Sequence, residues 1–248
     1  VSEVLCVDQL RKFYGKKFPA LTGVSFKVQA NEIFALIGPN GAGKTTTLRV
    51  IATILTPTSG QITVLGQRLD READKIREHI SYLPEEAGAY KNLTGLNYLK
   101  FMAELYTADR SKQRAYVETA TEIFGLKDRL KEKIGTYSKG MTRKILLART
   151  MMTEPKLAIL DEPTSGLDVL NAMEIRELIK KKAETGMAVL LSSHNMLEIE
   201  HLSHRVAVMD HGIIHEIGTP AGLKEKYGAK NLEEVFAEVV KCGNSMCY

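Results

Sequence analysis

The feature that most restricts how this chain can fold is a glycine-rich turn between two apolar segments. "EIFALI", Glu32 to Ile37, leads into "GPNGAGKT", Gly38 to Thr45, and "KTTTLRVIATIL" follows with helical spacing. A short continuous apolar run reads as a buried strand, so the stretch predicts strand, loop and helix in direct succession. Two glycines five apart, then lysine and threonine, make the phosphate-loop pattern. Such glycines let the backbone turn its N–H groups inward around phosphate oxygens, and the helix N-terminus adds its positive end. Lys44 is then placed for the β- and γ-phosphates of a nucleotide, and the Thr45 hydroxyl for Mg²⁺.

The rest of the chain supplies partners for that unit. Strand-like pieces "VLCV" and "VSFKV" flank the turn-rich "YGKKFPALTG", and "GQITVLG" follows the loop-helix unit. "KLAILDEP" and "MAVLLSSH" are short buried runs, with a helix between them whose inner face is marked by Val169, Ala172, Ile175, Ile179 and Ala183. "RVAVMDHGIIHEIG" reads as two strands around an Asp210–His211–Gly212 turn, and short helices near Pro220 to Tyr227 and Leu232 to Val240 close the chain. Alternating strands and helices argue an α/β core with a mostly parallel sheet.

Between Asn92 and Met152 the texture changes. "LNYLKFMAELY", "QRAYVETATEIFGL" and "KILLARTMM" all carry helical spacing, which makes a helical insert of about sixty residues.

Composition removes other classes. The 34 Lys+Arg against 30 Asp+Glu leave a charge of +4, too small and dispersed to predict nucleic-acid binding. "KKK", Lys180 to Lys182, reads as the solvated last turn of a helix. No apolar run reaches the roughly 18 residues that cross a bilayer, and the start lacks a signal-peptide pattern. The expectation is a chain that does not itself span a membrane. Cys6, Cys242 and Cys247 have no metal-ligand or disulfide spacing, which suits a reducing cytoplasm.

A second constellation sits in "LAILDEP", an apolar strand ending in two carboxylates. Beside a phosphate loop, Asp161 is placed to hold magnesium directly or through water. Glu162 is placed to polarise a water for attack on the γ-phosphate.

With both constellations in order, nearly the full chain resembles the nucleotide-binding domain of the ATP-binding cassette (ABC) superfamily. The resemblance implies a P-loop NTPase core with an N-terminal antiparallel β subdomain and an inserted α-helical subdomain. Residues 1–91 and 153–230 would form the core, 92–152 the helical subdomain, and 231–248 a C-terminal helix and tail. ATP and Mg²⁺ are the implied cofactors. The nucleotide would be held by Gly38, Pro39, Asn40, Gly41, Ala42, Gly43, Lys44, Thr45 and Thr46. "TSGLD", Thr164 to Asp168, corresponds to the D-loop, and His194 in "LLSSHN" to the histidine that contacts the γ-phosphate. Tyr14 resembles the aromatic that stacks on adenine, a contact worth about 1 kcal/mol.

"SYLPEEAGAY", Ser81 to Tyr90, corresponds to the Q-loop, with Glu85 where the family usually has glutamine. Glu85 can still ligate magnesium or order water, at the cost of a negative charge near the triphosphate. Glu86 beside it reads as a solvated neighbour. "YSKGM", Tyr137 to Met141, stands in the place of the family signature Leu-Ser-Gly-Gly-Gln, with Ser138 and Gly140 retained. Ser138 offers a hydroxyl and Gly140 a backbone N–H at a helix start, for the γ-phosphate held by a second molecule. Lys139 either adds charge at that mouth or points to solvent.

The implied protein is an ATP-hydrolysing subunit at the inner face of the cell membrane. It would work as a head-to-tail homodimer or with a paired cassette, and drive an integral membrane permease. "YLPEE", "YSKGM" and "NLEEVFAEVV" most resemble the drug-resistance and ABC-2-type exporter branch. A non-transport ABC ATPase acting on ribosomes or DNA is the alternative. A P-loop kinase or GTPase leaves "YSKGM" and His194 without a role.

Overall fold

The structure is a computed structural model that describes residues 2–15 and 18–245, with side chains as far as 241. Two long strands open the chain, β1 (Glu3–Tyr14) and β2 (Phe18–Gln29), and Tyr14 pairs with Phe18 where they meet. The expected turn "YGKKFPALTG" is therefore mostly strand, with Phe13 opposite Pro19 and Arg11 opposite Thr22. Pro19 is tolerated because β2 lies at the edge of its sheet. Lys16 and Lys17 of that segment lie outside the described residues.

β3 (Ile33–Ile37) is buried throughout and runs into the glycine loop and α1 (Lys44–Ile51). Its alternate side chains face two separate cores, which is why the run is apolar at every position. Ile33, Ala35 and Ile37 face the helices, while Phe34 and Leu36 face the antiparallel sheet. β4 (Ser59–Val64) and β5 (Gln67–Arg68) complete that sheet, in the order β2-β1-β4-β5. α2 (Leu69–Arg77) had no counterpart in the sequence reading, because only Leu69 and Ile76 of it are buried. β6 (Ile80–Leu83) follows, so the first residues of "SYLPEEAGAY" are strand and the loop proper starts at Pro84.

The helical segment is α3 (Gly95–Tyr106), α4 (Arg110–Phe124) and α5 (Lys139–Met151), with short 3₁₀ turns between the last two. Thr94, Asp109 and Ser138 cap these helices with their side-chain oxygens. The core then resumes with β7 (Leu157–Asp161), α6 (Val169–Glu184), β8 (Ala188–Ser193), α7 (Met196–Leu202), β9 (Arg205–Asp210) and β10 (Ile213–Gly218). Ala172, Ile175, Ile179 and Ala183 of α6 are buried, but Val169 is 74% exposed. Val169 is corrected from the inner face: it is the first residue of α6 and stands in solvent, while Ala172 of the same turn is buried. α8 (Pro220–Tyr227) and α9 (Leu232–Ser245) end the described chain. The tail beyond 245 and the side chains of Cys242 and Cys247 lie outside the described residues; Cys6 is a free, half-buried thiol.

The second sheet has the order β10-β9-β3-β8-β7-β6 and is parallel except for β10. Ile37 is in register with Ser193, and Asp161 with Ser192. The ends of β3, β7 and β8 thus reach one edge together, where an open α/β sheet binds its ligands. No helix among the described residues is long and apolar enough to cross a membrane.

Candidate nucleotide site

A cleft of about 480 Å³ opens at that edge, lined by all of Pro39 to Thr46 together with Tyr14, Glu85 and Glu162. At two positions the loop leaves no room for a side chain. At Gly43 (φ 102°) an added Cβ would come within 2.8 Å of Leu21 Cδ2 and 2.9 Å of the Ala20 carbonyl. Gly38 is closed off in the same way by the Met209 carbonyl. Both pattern glycines are therefore demanded by close packing.

Lys44 is buried and donates to the carbonyls of Gly38 at 2.6 Å and Pro39 at 3.1 Å. Burial lowers its pKa, and the carboxylates of Glu162, Asp161 and Glu85 oppose that shift. Its charge is thus held at the floor of the cleft by carbonyl dipoles, free to turn to a stronger acceptor. Tyr14, 42% exposed, reaches Thr46 across the mouth (OH to Oγ1, 3.4 Å), with Lys12 over its ring. Its ring stays open to a flat ligand.

Asp161 is 1% exposed, and three hydroxyls donate to it: Thr45 at 3.1 Å, Ser192 at 2.6 Å and Tyr82 at 3.3 Å. Burial, then the Asp161 charge, pushes the Tyr82 phenol up to about 12, so it stays a donor. No ion pair among the described residues reaches Asp161. A buried carboxylate with neutral partners and an adjacent hydroxyl fits a hard cation. No group of three His, Cys, Asp or Glu side chains among the described residues forms a metal cage. Magnesium commonly takes one or two protein ligands and fills its shell with phosphate and water.

Glu162 follows Asp161 but turns the other way, at φ 46°, a conformation costly for a residue with a Cβ. Its N–H donates to Ser192 Oγ at 3.1 Å, and its carboxylate meets His194 Nδ1 at 2.9 Å. Burial raises the Glu162 pKa; the hydrogen bond and charge of His194 oppose that rise, as does Lys44. The histidine side chain itself is 54% exposed and open toward solvent.

Glu85 lines the same cleft, and its carboxylate accepts a long 3.5 Å bond from Ser165 in "TSGLD". Ser138 and Gly140 do not line the cleft. The Ser138 hydroxyl accepts from Met141 N–H at 3.1 Å, which caps α5. Gly140 is covered by the side chain of Asn171, whose amide donates to Asp168 at 2.6 Å, while its main-chain N–H donates to the same carboxylate at 3.0 Å. Lys139 is exposed to solvent, one of its two expected placements, with its ammonium beside Gly166 of the D-loop segment. Ser192, Tyr82, Asn171 and Arg143 were missed in the sequence. Arg143 alone left a clear signal, as a charge at helical spacing on the apolar face of α5, four residues before Leu147.

A strand-loop-helix cradle on a mostly parallel sheet places the fold among P-loop ATPase domains. A solved structure described as the ATP binding subunit of an ABC transporter superposes with a TM-score of 0.83 at 30% identity, over 96% of this chain and 99% of that one. Residues 21–165 match the family described as ABC transporter, and the chain belongs to that family. It is 37% identical to the linearmycin resistance ATP-binding protein of Bacillus subtilis, over 92% of this chain and 73% of that protein. It is 36% identical to the doxorubicin resistance ATP-binding protein of Mycobacterium tuberculosis, over 94% and 70%. The resemblance to the drug-resistance branch read from "YLPEE" and "YSKGM" agrees with these relatives.

Proposed function

We propose that the chain hydrolyses ATP and couples closure of a nucleotide-loaded dimer to movement of a substrate, by export, through a separate membrane permease. The observation that carries the hydrolysis is the placement of Glu162. A buried carboxylate with a raised pKa sits at the phosphate-loop cleft, and a histidine at 2.9 Å orients it. A raised pKa makes Glu162 a stronger base once ionised, suited to taking a proton from water as it attacks the γ-phosphate. Lys44 holds the β- and γ-phosphates and moves off the loop carbonyls to do so. Thr45 and Asp161 would hold magnesium, with Glu85 the candidate for a further or water-mediated contact. When bound, the ion neutralises phosphate charge. Tyr14 orients the adenine ring by stacking.

The arrangement is half of a site. Ser138 and Gly140 stand at the positive end of α5 and do not line their own cleft, which supports their acting on the nucleotide of a second cassette. The helical segment and Glu85 loop are the proposed docking surface for the permease. Tyr90, Phe101, Leu105 and Tyr106 are all exposed there, and Tyr90 stacks edge-on against Phe101 at 5.7 Å. The drug-resistance relatives support export, and a permease partner would hold the chain at the inner face of the cell membrane.

Two measurements test this. The purified chain should release phosphate from Mg-ATP in a Glu162-dependent manner. The native chain should co-purify with an integral membrane protein; recovery with ribosomes or DNA instead would contradict the transport role.

A further inference from the structure

Arg143 lies in the second turn of α5, just behind Ser138 and Gly140, and is 7% exposed. Its guanidinium makes five hydrogen bonds, one for each of its N–H donors, and all go to main-chain carbonyls. Nε donates to Pro163 at 2.8 Å. One terminal nitrogen donates to Pro84 and Glu85 at 3.3 and 3.1 Å, the other to Asp161 and Glu162 at 3.1 and 2.7 Å. No carboxylate among the described residues pairs with it directly. Burial lowers its pKa, and the nearby charges of Glu85, Asp161 and Glu162 oppose that shift.

These carbonyls belong to two segments that share no strand pairing where they are bridged: the loop after β6 and the exit of β7. The shortest of the five bonds goes to Glu162, the residue held at φ 46°. A left-handed conformation in a residue with a Cβ persists only when its surroundings over-determine it. Here the Glu162 N–H is tied to Ser192 and its carbonyl to Arg143, so both sides of the strained residue are pinned. Lysine, with three donors around one nitrogen, cannot span these carbonyls.

We propose that Arg143 is a positioning residue for Glu162: it holds the strained backbone that aims the carboxylate at His194 and the cleft. Because the same side chain grips Pro84 and Glu85 and rides on the signature helix, that aim depends on where α5 and the Glu85 loop sit. A shift of either segment, on docking to a permease or to a second cassette, reaches Glu162 through one guanidinium. The inference rests on the reading of Glu162 as the base, and Arg143 itself does not line the nucleotide cleft.

The test compares Arg143→Lys and Arg143→Gln with Glu162→Gln, each alone and combined. Binding of a fluorescent ATP analogue and single-turnover hydrolysis are the readouts. Both Arg143 variants should bind nucleotide within about threefold of the parent while hydrolysis falls about tenfold or more, a loss in the chemical step alone. In the Glu162→Gln background, adding Arg143→Lys should change the residual rate by less than about twofold, since residues acting as one unit are not additive. Parent-like hydrolysis by Arg143→Lys, with Glu162→Gln inactive, overturns the inference while leaving Glu162 as the base. Parent-like hydrolysis by Glu162→Gln overturns the reading of the base instead. Loss of nucleotide binding in both Arg143 variants, through misfolding or otherwise, makes Arg143 a folding residue and also overturns the assignment.

Discussion

The phosphate loop and the signature segment both open helices, yet they are finished to different degrees. Around Lys44 the charged groups are already satisfied: lysine by two loop carbonyls, Asp161 by three hydroxyls, Glu162 by His194. Around Ser138 the hydroxyl only caps its own helix, and Asn171 covers Gly140. Buried charges need partners before any ligand arrives, or their desolvation destabilises the fold. A capping serine carries no such cost and can wait for a phosphate brought by another molecule. The contrast is that between a site which must be assembled in the free chain and one which need only be presented.

The largest effect should come from the assembled side. Glu162→Gln keeps the size and a hydrogen bond but loses the base, so hydrolysis should fall by about 10² to 10⁴ while ATP still binds. ATP should then accumulate in a closed dimer visible by size exclusion. Turnover near the parent rate would remove Glu162 from catalysis and erase the distinction drawn above.

That assembled side was also the legible one. "GPNGAGKT" and "LAILDEP" can be read because their chemistry needs particular residue types in order, and β7 and β8 bring Asp161 and His194 to one edge by simple parallel pairing. What could not be read was produced by tertiary contact. Tyr82 and Ser192 become partners of Asp161 only through the β6-β7-β8 register, and Asn171 covers Gly140 only when α5 and α6 pack. Val169 shows the reverse error. Its helical spacing matches the inner face, but as the first residue of α6 it stands in solvent, and burial on that face begins at Ala172. The "YGKKFPALTG" segment misled because its Gly and Pro, both turn residues, sit at the end and edge of long paired strands.

A smaller effect belongs to the mouth of the cleft. Tyr14→Ala should weaken ATP binding by about tenfold or less and leave saturated turnover nearly unchanged, because stacking is equal in the ground and transition states. A collapse of kcat at saturating ATP would make Tyr14 part of the assembled machinery.

On the presented side, Ser138→Ala removes a helix cap, with an expected cost of about 1 kcal/mol and a fall in Tm of about 2–4 °C. If Ser138 were only a cap, ATP-dependent association would fall no further than this loss explains.

The smallest effect is a pH-dependent one on stability without nucleotide. Burial raises the Glu162 carboxyl above its ordinary value of 4.5. Its contribution to stability is therefore present below that value and lost as pH rises through the raised pKa. Glu162→Gln should melt above the parent at neutral pH, and the gap should close on acidification. A gap that widened in acid would mean that the His194 contact outweighs burial.

The central claim is that the presented half of one chain completes the assembled half of another, and mixing damaged chains tests it most directly. One chain carries Lys44→Ala, the other Ser138→Arg, and both carry Glu162→Gln so that closed dimers persist. Each variant alone has two damaged sites and should not associate on ATP. In a mixed dimer both lesions fall in one site, and the other pairs an intact phosphate loop with an intact signature. Mixing should therefore restore ATP-dependent association, read by size exclusion. If mixed dimers form under controlled conditions but gain no stability from ATP, Ser138 and Gly140 do not act across chains, and "YSKGM" is a helix cap alone.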